Sequence, residues 1–325
     1  MSIGSGDLIA VGGAPSQPVA PIAEGEAAKK IEGRSPWRLA MSRLRRDRAA
    51  MLSLGVIFII VLVAIFAPVF AAVTGHGVYE QFRTTGLSPE GQPVGPGGAF
   101  LFGTDDQGRD IMVRIAYGAR ISLIVGVAGT ALTVVIAAIV GLAAGYFGKI
   151  VDTVLARLID VLLAFPFLLL AIALVSIIGP GLSVVIIVIG FFGWASVARI
   201  VRGQVLSIRE KEYIEAARAL GAGPWRIMFI DILPNVVAPI IVYTTLLIPL
   251  TIVAEASLSF LGVGVPPPTA DWGQMISESS NYYNNGSWWF LVFPSLALLI
   301  TTVAFNIFGD GVRDAFDPRG GQLFV

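Results

Sequence analysis

Long runs without a single charged residue alternate along this chain with shorter polar stretches. A helix needs about 20 apolar residues to cross a bilayer. Residues 51–73 are uncharged over 23 positions, 121–147 over 27 and 161–198 over 38. The last run is long enough for two spans, and Gly179, Pro180 and Gly181 break it into a hairpin. The pattern predicts spans at 51–73, 121–147, 154–178, 182–201, 235–258 and 288–309. The expected fold class is an all-α integral membrane protein with six transmembrane helices.

Lys and Arg placement gives the direction. Residues 29–48 hold eight of the 22 basic residues, the loop 199–232 holds six, and 260–287 hold none. Six spans then put the N-terminus, that loop and the C-terminus on the cytoplasmic side. Segments 74–120 and 260–287 fall outside. Arg83, Arg109, Arg114 and Arg120 depart from this rule, with Asp105, Asp106 and Asp110 close enough in sequence to pair with them.

The expected organisation is a disordered tail at 1–34, rich in Ala, Gly, Pro and Ser, then a basic interfacial helix at 35–50. The first span follows at 51–73, an extracytoplasmic segment at 74–120, a core at 121–310 and a cytoplasmic tail at 311–325. Ser35 and Pro36 open the interfacial helix, with Trp37, Ala40, Met41 and Leu44 on one face. Gly141 and Gly145 make a small-residue pair that lets helices approach, within one chain rather than between subunits.

Composition narrows the chemistry. Hydrophobic residues make up 55% and charged residues 14%, against about 25% charged in globular domains. Mean hydropathy is +0.81. Charge totals balance, so nothing points to nucleic acid. With no Cys there is no disulfide or thiolate chemistry. The single His76, flanked by Gly75 and Gly77, reads as a solvated loop residue. No metal site, cofactor or catalytic group is expected. Gly148 and Lys149 are followed by Ile150 and lack the upstream Gly, with Ala143 in its place, so there is no phosphate loop.

Residues 215–234 read Glu-Ala-Ala-Arg-Ala-Leu-Gly-Ala-Gly-Pro-Trp-Arg-Ile-Met-Phe-Ile-Asp-Ile-Leu-Pro between two apolar runs. Tyr213 to Leu220 is good helix sequence, and Gly221 or Gly223 suits its end. Ala216 and Ala217 keep one face thin for a partner. Glu215 suits the helix start and is placed to hold Arg218 or Arg209. Physics alone allows either a coupling handle or a plain interfacial helix.

The stretch resembles the EAA loop of ABC-transporter permeases, carried here by Glu215, Ala216, Ala217, Gly221, Leu233 and Pro234. Asp231 stands where the generic pattern has an apolar residue. Further stretches resemble the C-type permeases of dipeptide and oligopeptide importers: 102–110 with 117–123, 164–170, 255–262 with Trp272 and Gly273, and 305–314 through 317–319. Val113 and Phe100 stand where that family often has Ser and His. The resemblance covers roughly 35–319. It implies the six-helix fold of an ABC importer permease with a cytoplasmic coupling helix within 206–234, in a bacterial inner membrane. It also implies a heterodimer with a second permease subunit, two ATP-binding subunits that hydrolyse ATP, and an extracytoplasmic solute-binding protein. Nickel and other small-solute permeases look similar.

Within the spans, Glu255 lies about 30 Å along its helix from residue 235 at 1.5 Å per residue. That puts it at the outer rim, with Arg120 as its expected partner, either as a structural ion pair or, with Pro249, as part of the pathway or outer gate. Asp160 is expected to be solvated at the interface. Pro166, Pro239 and Pro249 each remove a helical hydrogen bond. Pro249, mid-span after the loop, is the hinge candidate. The rival class is an ion-gradient-driven secondary transporter. It calls for midplane carboxylates or broken, repeated helices, which the sequence does not clearly show.

Overall fold

The computed structural model describes residues 36–317; the expected tail at 1–34 and residues 318–325 lie outside the described residues. Helix α1 (Pro36–Leu44) leads to α2 (Arg48–Ile65) and α3 (Ala67–Thr74). A long loop, 75–110, precedes α4 (Ile111–Phe147), followed by α5 (Lys149–Ala164), α6 (Phe167–Ile178) and α7 (Leu182–Arg209). Then come α8 (Glu212–Ala219), one turn α9 (Pro224–Arg226), a π-helical turn Ile227–Ile232 and α10 (Leu233–Phe260). Helix α11 (Trp272–Ser279) and α12 (Trp288–Phe316) close the chain. Among the described residues there is no strand, only isolated bridges in the loop 75–110.

Five helical stretches are long and apolar enough to cross a membrane, and the bent pair α5–α6 makes a sixth if it counts as one span. Their ends differ from the uncharged runs because caps, not charges, set them. Asp47 Oδ1 accepts the N–H groups of Ala49 and Ala50, so α2 starts before the apolar run. Asp110 Oδ1 does the same for Met112 and Val113. Helix α4 therefore begins ten residues before the expected span at 121, inside the segment expected to be extracytoplasmic loop. At the other end, α12 runs through 316, into the expected tail. The expected basic helix at 35–50 is split by Asp47, and Trp37 of α1 packs edge-on against Phe316 of α12 at 5.2 Å.

The third span is not the continuous helix expected over 154–178. Phe165 and Pro166 are extended, and α5 meets α6 at 87°. Pro166 has no N–H for the carbonyl four residues back, so the helix breaks there.

Close packing of α4 on α7 holds the centre together. A Cβ on Gly141 would lie 2.7 Å from Val201 Cβ, one on Gly145 2.6 Å from Val205 Cβ, and one on Gly190 2.5 Å from Leu132. The small-residue pair thus serves packing within the chain. One buried cluster joins α4, α5, α7, α8 and the π turn through Trp194, Val201, Ile214, Ile227 and Met228.

Candidate coupling surface and buried polar clusters

Helix α8 stands between α7 and α10 on a single buried anchor. Ile214 is fully buried against Ile227, Met228 and Ile232. Glu215 and Ala216 face outward and Ala217 is half-buried. Gly221, at φ +80°, ends the helix. The N–H of Gly221 bonds Arg218 O and that of Ala222 bonds Ala217 O, the paired closure of a Schellman end. Past it the surface is apolar: Leu220 is 88% and Trp225 70% exposed, and Trp225 stacks on Phe229 at 5.8 Å. Tyr213 is exposed, and its hydroxyl accepts from Asn235 Nδ2, which also donates to Asp231 O. Pro234 is exposed, directly after the π turn in which the Leu233 N–H reaches back to Met228 O.

The expected Glu215 pair with Arg209 or Arg218 does not form. Arg209 reaches Glu210 and the carbonyls of Gly145 and Tyr146, and Arg218 lies over the Tyr146 ring. Both arginines face the α4 end, while Glu215 faces out.

The loop before α4 is organised by buried charge. Asp105 Oδ2 lies 2.6 Å from Arg109 Nε and 3.2 Å from Arg114 Nε, all three residues buried. Arg109 Nη2 lies 3.3 Å from Glu278 Oε2 on α11. Burial pushes the Asp106 and Glu278 carboxyls above their usual range. Asp105, Asp106 and Glu278 bring their oxygens within 4.8 Å of one another. Two guanidinium groups already supply the positive charge that a cation would bring there. Asp110 pairs with His76 instead, Nδ1 to Oδ2 at 2.7 Å. His76 is therefore no solvated residue: its ring stacks on Phe100 at 4.8 Å and packs on Phe82.

Glu255 is fully buried near the C-terminal end of α10. The expected pair with Arg120 is absent, because Arg120 donates to Ala64 O and Ile65 O at the α2–α3 break. Glu255 accepts from Ser259 Oγ at 3.0 Å and from Ser122 Oγ at 3.4 Å. Asp271, also buried, is the N-cap of α11, where its Oδ1 accepts the Gly273 N–H. Burial pushes the Asp271 carboxyl up. Sequence reasoning did not single out Ser122, Ser259, Asp271 or Glu278, although Ser122 and Ser259 lie in the family-like stretches 117–123 and 255–262 and Asp271 directly precedes the Trp272–Gly273 pair. Pro249 is buried in mid-α10, one residue before Leu250 of a cavity between α4, α7 and α10. Asp160, exposed as expected, pairs with Arg199 at 2.8 Å.

Comparison with known proteins follows the same lines. Residues 137–321 match the family described as "Binding-protein-dependent transport system inner membrane component". Residues 35–89 match the "N-terminal TM domain of oligopeptide transport permease C". The chain is 42% identical over 297 residues to the oligopeptide transport system permease protein OppC of Bacillus subtilis, covering 90% of this chain and 93% of that one. It is 41% identical over 285 residues to the dipeptide transport system permease protein DppC of Alkalihalophilus pseudofirmus, covering 88% and 90%. Among solved structures, the MetNI methionine ABC transporter in inward-facing conformations matches with TM-score 0.52 and 21% identity, over 63% of this chain and 97% of that chain. That likeness is one of fold. The family match over more than half of the chain, with relatives above 40% identity over most of its length, shows that the chain belongs to the binding-protein-dependent transport system inner membrane components.

Proposed function

We propose that this chain is one of two permease subunits of an ATP-driven importer that moves di- or oligopeptides across a bacterial cytoplasmic membrane by alternating access. The observation that carries the reading is the exposed ridge of α8 and the turn after it. Tyr213, Leu220, Trp225 and Phe229 present apolar surface outside the bundle, on a helix rooted by Ile214. Apolar surface exposed in one contiguous place marks a partner site. The partner is one of two ATP-binding subunits, and Glu215, Ala216, Ala217 and Gly221 form the grip. ATP binding shifts the permease only through contacts that differ between its states, and this ridge offers them. The second permease subunit and a solute-binding protein on the outer face complete the complex, with both termini of this chain cytoplasmic.

Peptide cargo is supported by the names of the relatives and by the match to the oligopeptide permease N-terminal domain. Reconstitution of the co-purified complex in vesicles tests the whole reading. ATP-dependent uptake of labelled peptides is expected. Uptake of nickel in place of peptide replaces the cargo assignment. Uptake driven by an ion gradient without ATPase subunits overturns the mechanism.

A further inference from the structure

Helix α1 carries a basic cleft that nothing among the described residues neutralises. Residues 36–50 hold five arginines and one aspartate. Arg38, Met41, Ser42 and Arg45 recur at the three- and four-residue spacing of one helix face. With Arg46, in the turn after the helix, they line a cleft of about 440 Å³. All three arginines are exposed. Among the described residues none of them pairs with a carboxylate or lies over a ring. Asp47, next in sequence, has its Oδ1 committed to the N–H groups of Ala49 and Ala50.

The cleft is held in place from behind. The opposite face of α1 is fixed to the end of α12: Ala40 is buried, Trp37 meets Phe316 edge-on, and Arg43 Nη1 donates to Asp317 O at 2.8 Å. These contacts keep α1 from turning, so its free arginines stay on the outside.

A second feature starts within one turn of Arg46. An apolar groove of about 520 Å³ runs between α2 and α12, lined by Ala49, Leu52 and Val56 on one side and by Ile307, Val303 and Leu299 on the other. At its α1 end the two helices close up, since a Cβ on Gly311 would collide with Ala50. Leu52 is 73% exposed. Ser53, the one polar residue in the groove, donates its hydroxyl to Ala50 O. Both walls belong to helices apolar enough to span a membrane, and the groove opens outward, where hydrocarbon takes the place of water.

Charge and apolar surface in this order match one class of molecule. A phospholipid joins a phosphodiester to acyl chains, and the planar fork of arginine suits phosphate oxygens. An acidic protein segment would meet the arginines and leave the groove open. A zwitterionic lipid would fill the groove but bring its own cation to the arginines. We infer that α1 and the α2–α12 groove form a binding site for one anionic phospholipid, its phosphodiester in the cleft of Arg38, Arg45 and Arg46 and an acyl chain along Leu52 and Val303. The inference needs a membrane-spanning chain and does not depend on the cargo.

The test uses the purified importer complex in neutral detergent, titrated with dioleoyl phosphatidylglycerol or dioleoyl phosphatidylcholine, with bound lipid counted by native mass spectrometry. The wild type is expected to bind one phosphatidylglycerol about tenfold more tightly than phosphatidylcholine. Arg45→Gln is expected to lower that preference about fivefold, and Arg43→Gln, which removes the same charge from the anchored face, by less than about twofold. Val303→Trp fills the groove and is expected to weaken phosphatidylglycerol about fivefold. Glycerophosphoglycerol, the same headgroup without chains, is expected not to compete. Melting temperatures near the wild-type value show that the variants fold, as expected for exposed positions. Equal affinity for the two lipids overturns the inference. So do equal losses in Arg45→Gln and Arg43→Gln, which leave only a general effect of charge, and unchanged binding in Val303→Trp. Competition by the chainless headgroup overturns it in favour of a free anion. An Arg45→Gln complex that sheds a subunit while keeping the lipid preference overturns it in favour of a protein contact.

Discussion

Arg120 makes the hydrogen bond that Pro68 cannot. In an unbroken helix the N–H of residue 68 would bond Ala64 O, but Pro68 has none. The Val69 N–H turns to Phe66 O, which frees Ile65 O as well. Arg120 Nε donates to Ala64 O and its Nη2 to Ile65 O, while its guanidinium lies over the Tyr117 ring at 5.0 Å. One side chain of α4 thus repairs the break between α2 and α3. Lipid offers no substitute donor. Arg120→Met is expected to destabilise the subunit by about 2 kcal/mol, for two carbonyls left open. The check is a double-mutant cycle on melting temperature. Pro68→Ala restores the missing N–H, so Arg120→Met should cost clearly less in that background. Equal losses in both backgrounds mean that Arg120 acts elsewhere.

The Asp105 carboxylate between Arg109 and Arg114 gives a second prediction. With both guanidinium groups buried, removing the shared anion leaves Arg114 with only Glu278, at 4.0 Å. Breaking a buried pair in this way costs about 3–5 kcal/mol. Asp105→Asn is expected to lower the melting temperature and to expose the loop before α4 to protease. Phe102 of that loop stacks on Phe293 of α12 at 4.3 Å, far away in sequence. A variant with wild-type protease resistance would show that the loop does not depend on this cluster.

The helices were legible because lipid-facing and core residues are both apolar, which leaves long uncharged runs. Their ends were not, because Asp47 and Asp110 cap from outside the runs, and because Arg114 and Arg120 look like boundaries while lying inside α4. The break at Phe165 and Pro166 was hidden for the opposite reason. An uncharged run carries no periodicity to interrupt, and a proline in a span is ordinary. The short helix α8 was readable from local chemistry: small residues, then a glycine at a left-handed position. The contact of Glu255 with Ser122 was not readable, since the two are distant in sequence and only the packing of α4 on α10 brings them together.

Asp271 gives a prediction with a sign. Burial holds its carboxyl above the usual range, so the fold favours the protonated form. The stability this contributes is fully present below the unfolded value, about 3.9 for Asp, and is lost as pH rises through the folded value. Asp106 and Glu278 are raised too, so only a difference isolates Asp271. Melting temperature is expected to fall with rising pH less in Asp271→Asn than in the wild type. Parallel curves would mean that this carboxyl does not change protonation on folding.

Gly221 and Leu220 separate folding from coupling. Gly221 sits at φ +80°, where a side chain costs about 1–2 kcal/mol. Gly221→Val is therefore expected to loosen the Schellman end that holds α8, lowering both the melting temperature and the ATP-driven uptake. Leu220 is 88% exposed and holds nothing in this chain. A surface change there stays within about 0.5 kcal/mol of stability. Leu220→Glu is expected to keep the melting temperature of the isolated subunit, yet weaken its co-purification with the ATP-binding subunits and reduce cargo-stimulated ATP hydrolysis. If Leu220→Glu binds the ATPases as the wild type does and imports at the same rate, the apolar ridge is not the surface through which this subunit is driven.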